Sequence, residues 1–521
     1  MKILGIATMA DAPASALLVD GRLVAAMEEA KVARRTGRGD LPMESIGACL
    51  AIGKMEPSEV DYVALSRPVS ASAAATLNLK VREHFPNARM VLVDHHLAHA
   101  ASAFYASPFS EATVLTLDRG GDLQCGARWS GTKDGLAIES EFYYPDSLAD
   151  LYTRVTELLG FTPDADEHKT QWLSASGDDS RYELFERIVN GNLRRGFDRS
   201  YFDPGRLTLG GFSAKFFEAA GGEGKMDARE RAAIAAGVQH AIEQAVFRLA
   251  DSAKNLCVAG GLGFNALLVT ALERSGRFEN VFAQPAAGNA GTALGAVLHV
   301  WHDALHEKAR VDTGGYFLGP EYSAEEIKQV LENCKLGFRY LLTGDELVET
   351  AIEQITDNKI VAWMQGRMEF GPRALGNRSI LASPLDAYST ENLNNFIKRR
   401  ESFRKFAASV PAELAAEYFE TGPNARHLAS VGRVREEHRK TFAAALLGRD
   451  LIRVHTVSRE DNPLYWNLLQ AAGKKTGLPV LYNTSFNLFG EPLVCSPRDA
   501  VRSFFASGID EMFVGSFWLR K

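Results

Sequence analysis

Apolar and polar residues alternate in short runs from the start of the chain. KILGIA (2–7), ALLVD (16–20) and RLVAAME (22–28) read as strands, and Asp20-Gly21 between the last two predicts a tight hairpin. MVLVD (90–94) and VLTLD (114–118) read as further strands, the second followed by a turn at Gly120-Gly121. Ile234, Val238, Ile242, Val246 and Leu249 recur at helical spacing and predict a long helix with one buried face. It leads into NLCVAGGLGFNA (255–266), an apolar strand that ends in glycines and opens another helix. Strands alternating with helices, with glycines at the strand ends, predict an α/β architecture whose sites lie at those ends. Periodicity lapses between Glu307 and Ser323, which reads as a linker, and resumes with AEEIKQVLENC and KIVAWMQ. No internal repeat of fixed period is visible.

The 521 residues are more than one hydrophobic core usually serves, so two or three domains are expected. A net charge of -7 disfavours nucleic acid as a partner, because binding a phosphate backbone calls for a basic surface. The opening MKILGIATMADAP is interrupted by Asp11 and lacks the pattern of a secretory signal, and no apolar run approaches the length of a membrane span. Cys49, Cys125, Cys257, Cys334 and Cys495 are scattered and never form C-x-x-C, which suits a reducing cytoplasm better than a disulfide framework or a zinc ribbon.

Candidate chemistry falls in both halves. In DHHLAHA (94–100), His95 and His99 stand four apart, so on a helix both imidazoles project from one face and can hold a cation; a solvated or capping cluster is the plainer alternative. Three glycine-bearing turns are suited to a nucleotide: LDRGGD with Asp118, Gly120 and Gly121, VAGGLGFN with Gly260, Gly261 and Asn265, and AAGNAGTALGA (286–296), which opens a helix. Backbone N–H groups approach phosphates closely at such turns, and a helix N-terminus adds a favourable dipole. In the second half, QGRMEFGPRALGNRSILASP carries Arg367, Arg373 and Arg378, and Lys398, Arg399, Arg400 and Arg404 follow, a density of cations suited to several phosphate charges. PVLYNTSFN (479–487) ends a strand in the neutral hydrogen-bonding side chains Asn483, Thr484, Ser485 and Asn487.

These blocks, with LLVDGRLVAAMEEA, HHLAHAASAFY, LGFTPDADEHK, FLGPEYS and GEPLVCSPRDA, resemble in order the O-carbamoyltransferases of antibiotic biosynthesis and nodulation-factor modification. GRMEFGPRALGNRSIL is the most specific of them. The resemblance implies an N-terminal actin/Hsp70-like (ASKHA) domain, similar to the tRNA threonylcarbamoyl transferase, over residues 1–310 and a YrdC-like domain over residues 323–521. It implies that the second domain makes carbamoyl adenylate from carbamoyl phosphate and ATP, and that the first transfers the carbamoyl group to a hydroxyl of a small, natural-product or sugar-like acceptor. By position, His95, His99 and residue 289 would hold a divalent ion, with iron the expected metal and magnesium the alternative, beside ATP. Arg367, Arg373, Lys398, Arg400, Ser485 and Asn487 would belong to the adenylation site.

The sequence departs from the family pattern in three places. Asn289 stands in GNAG where the family places an aspartate ligand, Asp11-Ala12-Pro13-Ala14-Ser15 is out of step by one residue, and RKFAAS (404–409) replaces RPFAPS. Asn289 motivates two readings: a ligand that binds the ion more loosely, or a cap for the helix that follows. The competing functions are carbamoylation of a protein or RNA, disfavoured by the absence of a basic stripe or zinc finger, and a nucleotide-binding protein with an impaired metal site.

Overall fold

The computed structural model of the chain describes residues 1–8, 12–35, 41–67, 71–121, 123–190, 196–224, 226–448 and 450–521. Asp11 lies outside the described residues.

The first sheet forms from β1 (Lys2–Ala7), β2 (Ala14–Val19), β3 (Arg22–Glu28), β4 (Tyr62–Ser66) and β5 (Arg89–Val93), in the order β3-β2-β1-β4-β5. Its hairpin is the expected one: Val19 pairs with Arg22 across Asp20 and Gly21, whose φ angles of 48° and 78° are those a tight two-residue turn demands. The second sheet forms from β6 (Ala112–Gly121), β7 (Gln124–Thr132), β8 (Gly135–Tyr143), β9 (Asn255–Ala259) and β10 (Asn280–Ala283), in the order β10-β9-β6-β7-β8. Each sheet is a three-stranded antiparallel meander extended by two parallel strands. The chain thus repeats a topology without repeating a sequence, which is why no period was visible.

Gly120 and Gly121 do not make the expected turn; they are the last residues of β6, and Gly121 pairs with Gln124. The long helix spans Ala228–Ala250 and opens with a capping box between Asp227 and Glu230. Its Ile234, Val238, Ile242 and Val246 are buried in the core of the second unit, and Leu249 packs at the edge. Helix Gly291–His299 lies between the two units. A Cβ on Gly295 would meet the Ala98 carbonyl at 1.7 Å, and one on Gly5 the Ala293 carbonyl at 2.1 Å, so glycine at both positions permits this close packing.

The rest of the chain builds one ten-stranded sheet from β11 (Arg339–Tyr340), β12 (Val361–Met364), β13 (Arg378–Ala382), β14 (Ala407–Pro411), β15 (Phe419–Glu420), β16 (Val431–Val434), β17 (Leu451–Val457), β18 (Leu481–Ser485), β19 (Glu511–Val514) and β20 (Phe517–Arg520), in the order β11-β20-β19-β12-β13-β18-β14-β17-β16-β15. The fold is therefore α/β throughout, two five-stranded units of like topology followed by a part built on one ten-stranded sheet.

The stretch from Glu307 to Ser323 is no free tether. Val311, Tyr316 and Leu318 are buried, Leu318 accepts the Ala26 N–H, and Gly319 and Pro320 bond to Met368. Two small apolar clusters join the parts: Leu17, Ala25, Met27 and Cys49 meet Met368, Ala374, Leu493 and Cys495, while Trp172, Ala266 and Leu267 meet Val431 and Leu447. Between these contacts the two parts leave a cavity. All five cysteines are free thiols, and no described helix is long and apolar enough to cross a membrane.

Candidate functional site

Helix His95–Phe104 begins directly after β5, so His95 and His99 leave its first turn on one face. Their Nε2 atoms lie 2.9 and 3.2 Å from one oxygen, Oδ2 of Asp118 on β6. The other oxygen, Oδ1, accepts the backbone N–H groups of Arg119 (2.8 Å) and Gly261 (3.3 Å). Burial alone would raise the Asp118 carboxyl; the bonds from the two imidazoles outweigh it and hold the group well below its ordinary value. Burial also lowers His99, the neighbouring His95 lowers it further, and hydrogen bonding to the Asp118 carboxylate and the Asn289 side chain opposes both.

One donor atom from each of His95, His99 and Asp118 can be chosen with all three within 4.8 Å of one another. Asp118, read from the sequence as a nucleotide-side residue, lines the cavity and also stands against the histidine pair. His96 turns away, its Nδ1 3.0 Å from Thr116 Oγ1 and its Nε2 3.0 Å from the Gln124 carbonyl, and burial depresses it to about 3. Asn289 does not cap the helix with its side chain. The helix starts after Ala290 without a side-chain cap; the Asn289 backbone carbonyl accepts from Thr292, and its side chain bonds to His99.

The cavity measures about 570 Å³ and is walled by both parts of the chain. Of the residues singled out in the sequence, Asp118, Gly261, Asn265 and Asn289 line one side, and Arg373, Arg400, Arg404, Asn483, Thr484 and Ser485 the other. Arg453, on β17, joins them. Sequence reading missed it because a lone arginine in LIRVHTV carries no local signal. Burial, reinforced by the other arginines, pushes Arg373 down to about 10, Arg400 to about 9, and Arg453 well below its ordinary value. Arg404 reaches Glu401 at 3.7 Å, and Glu401 is shared with Lys169 at 2.9 Å. Arg373 makes one long bond, 3.4 Å to the Phe264 carbonyl. Among the described residues Arg453 has no ion-pair partner and stacks over Trp172 at 5.2 Å. Positive charge in this wall therefore exceeds the carboxylates beside it, the electrostatic condition for a polyanionic ligand.

Other expected site residues do structural work. Arg378 is fully buried and donates to the backbone carbonyls of Gln365, Gly366, Asn377 and Pro320. Arg367 donates to Gly319, Leu318 and, across the junction, Val24. Both lie outside the cavity lining, with guanidinium donors directed at backbone oxygens. Glu369 Oε1 accepts the N–H groups of Leu375, Asn377 and Arg378, and Lys31 bonds the carbonyls of Glu369 and Gly371, so most of GRMEFGPRALGNRSIL organises a loop against the N-terminal part. Lys398 Nζ stands one layer behind the wall, bonded to the Ser485 carbonyl and to Asn487 Oδ1 (2.7 Å), and it fixes the end of β18. Asn487 accepts from Lys398 and from Ser485 Oγ and donates to the Glu491 carbonyl, so it too supports the wall from behind. Gly121 packs under His95, and Gly260, at φ 87°, packs over Leu117; neither lines the cavity, nor does Gly120.

The family models Carbamoyltransferase N-terminus and Carbamoyltransferase C-terminus match residues 69–298 and 352–521. An uncharacterized protein of Synechocystis is 33% identical over 100% of this chain and 96% of its own. The nodulation protein NolNO of Sinorhizobium fredii is 33% identical over 98% of this chain and 78% of its own. The 3'-hydroxymethylcephem-O-carbamoyltransferase of Amycolatopsis lactamdurans is 32% identical over 51% of this chain and 49% of its own. Matched by both family models and, over its whole length, by a relative 33% identical, the chain belongs to the carbamoyltransferase family and is an enzyme of that kind.

Proposed function

We propose that the chain is an ATP-dependent O-carbamoyltransferase working through carbamoyl adenylate, with residues 323–521 as the adenylating part, residues 1–310 as the transferring part, and a small hydroxyl-bearing molecule as acceptor. The observation that carries this reading is that the arginine wall and Asp118, the partner of the histidine pair, line the same cavity. Carbamate, freed when water cleaves inorganic phosphate from carbamoyl phosphate, is a weak electrophile. Attack of its oxygen on the α-phosphorus of ATP expels pyrophosphate and creates a good leaving group. Arg373, Arg400, Arg404 and Arg453 would bind the triphosphate and offset the charge developing on pyrophosphate. Ser485 and Asn483 offer neutral hydrogen bonds beside them. The acceptor hydroxyl then attacks the carbamoyl carbon, AMP departs with the electron pair, and the hydroxyl proton is lost to a base.

Two imidazole nitrogens and a carboxylate oxygen so close together suit a divalent transition metal, with iron expected. Such an ion, held by His95, His99 and Asp118, would supply Lewis acidity for the transfer step. Asn289 can add a neutral amide oxygen, which leaves the site with less negative charge than an aspartate would give. The carboxylate of Asp118 supports an active enzyme over a nucleotide-binding protein with a broken metal site. Release of pyrophosphate from ATP on addition of carbamoyl phosphate tests the proposal, and its absence would exclude the adenylate route.

A further inference from the structure

The transfer step needs a proton acceptor beside the incoming hydroxyl. The carboxylates on the cavity wall are Glu28, Asp118, Asp164 and Glu167. Three are fully engaged. Glu28 takes the Gly371 N–H and pairs with Lys31 at 2.9 Å, Asp118 bonds through both oxygens, and both oxygens of Asp164 take Arg119 Nη1. Glu167 differs. Its Oε1 accepts Thr153 Oγ1 (3.0 Å) and the Asp164 N–H (2.7 Å), which fix the carboxylate plane, while Oε2 has no partner among the described residues.

Its placement fits the task. Glu167 opens helix Glu167–Ser174. On one side Asp164 ties it to Arg119, the residue after Asp118. On the other, Lys169 pairs with Glu401, which also meets Arg404. Glu167 thus lines the same cavity as the arginine wall and Asp118, into which the carbamoyl carbon of an adenylate would be delivered.

We infer that Glu167 is the general base of carbamoyl transfer: Oε2 accepts the hydroxyl proton as the hydroxyl oxygen bonds to the carbamoyl carbon and the carbon–oxygen bond to AMP breaks. This inference rests on the proposed adenylate route. Glu167→Gln keeps an oxygen for Thr153 and Asp164 but removes the basic carboxylate. With carbamoyl phosphate and ATP, and water or glycerol as the hydroxyl nucleophile, the ratio of AMP to pyrophosphate released in the first turnover should fall by about 100-fold, the usual order for loss of a general base. Hydroxylamine, whose nitrogen attacks with its own lone pair, should restore AMP release in the variant. A wild-type ratio in Glu167→Gln overturns the role of Glu167 and leaves the adenylate route standing, as does a variant that makes adenylate but is not restored by hydroxylamine. A variant that releases no pyrophosphate also overturns it, because Glu167 would then serve the first step. Absence of pyrophosphate from wild type defeats the route itself, and this inference with it.

Discussion

Gly121 lies directly beneath the His95 imidazole: a Cβ at position 121 would sit 2.2 Å from Cδ2 and 2.6 Å from Cγ of that ring. The glycine was expected to face a phosphate, but it makes room for a histidine. Gly121→Ala must push His95 away from Asp118. The expected cost is about 1–3 kcal/mol of stability, as for overpacking in a well-filled interior, together with loss of retained metal. Urea denaturation and metal analysis of the purified variant check this, and wild-type metal content would contradict it.

The histidine pair itself is tested by metal content without reference to activity. His95→Ala/His99→Ala should carry no iron above background after purification without chelator. Asn289→Asp should raise ferrous-ion affinity measured by calorimetric titration, because it adds a full negative charge beside the site. Equal metal content in wild type and the double variant would remove the site.

Arg453 offers a separation of binding from folding. Among the described residues it has no carboxylate partner to leave unpaired, and burial among other arginines disfavours its charge, so Arg453→Met should leave the ligand-free protein at least as stable as wild type. Carbamoyl-phosphate-dependent pyrophosphate release should nevertheless fall by about 100-fold, in the range for removal of one preorganised charge-stabilising donor. Stabilisation by added pyrophosphate, read as a shift in Tm, should shrink with it. A variant that matches wild type in all three would place the phosphates elsewhere.

The features that could be read from sequence are those set by local periodicity. The Asp20-Gly21 hairpin, the long helix through Ile234 and Val246, and the shared face of His95 and His99 follow from repeats of two or 3.6 residues. What could not be read depends on distant parts of the chain meeting. Asp118 looked like a phosphate-side residue because a glycine pair follows it; only the packing of helix His95–Phe104 on β6 makes it the partner of two imidazoles. Arg367 and Arg378 share a segment with Arg373, and nothing local distinguishes a guanidinium that will meet backbone carbonyls from one that will meet a cavity. The doubled β-topology was hidden because hydrogen-bonding order recurs while side chains do not.

Buried neutral histidines make stability depend on acid. Burial depresses His427 and His455 from 6.5 to about 3. Between those values the unfolded chain binds protons that the folded chain does not, so stability falls as pH drops from about 6.5 toward 3, by up to about 1.4 kcal/mol per pH unit for each histidine. Denaturation midpoints at pH 7 and pH 5 check the slope, and His455→Asn should flatten it relative to wild type. An identical slope in the variant would show that His455 does not contribute.

The most direct test of the adenylate route is product analysis of the wild-type protein, loaded with ferrous ion, after incubation with carbamoyl phosphate and ATP labelled at the α-phosphate. The account predicts pyrophosphate and labelled AMP, formed only when carbamoyl phosphate is present. Labelled ADP as the sole nucleotide product, or AMP formation that ignores carbamoyl phosphate, would contradict it.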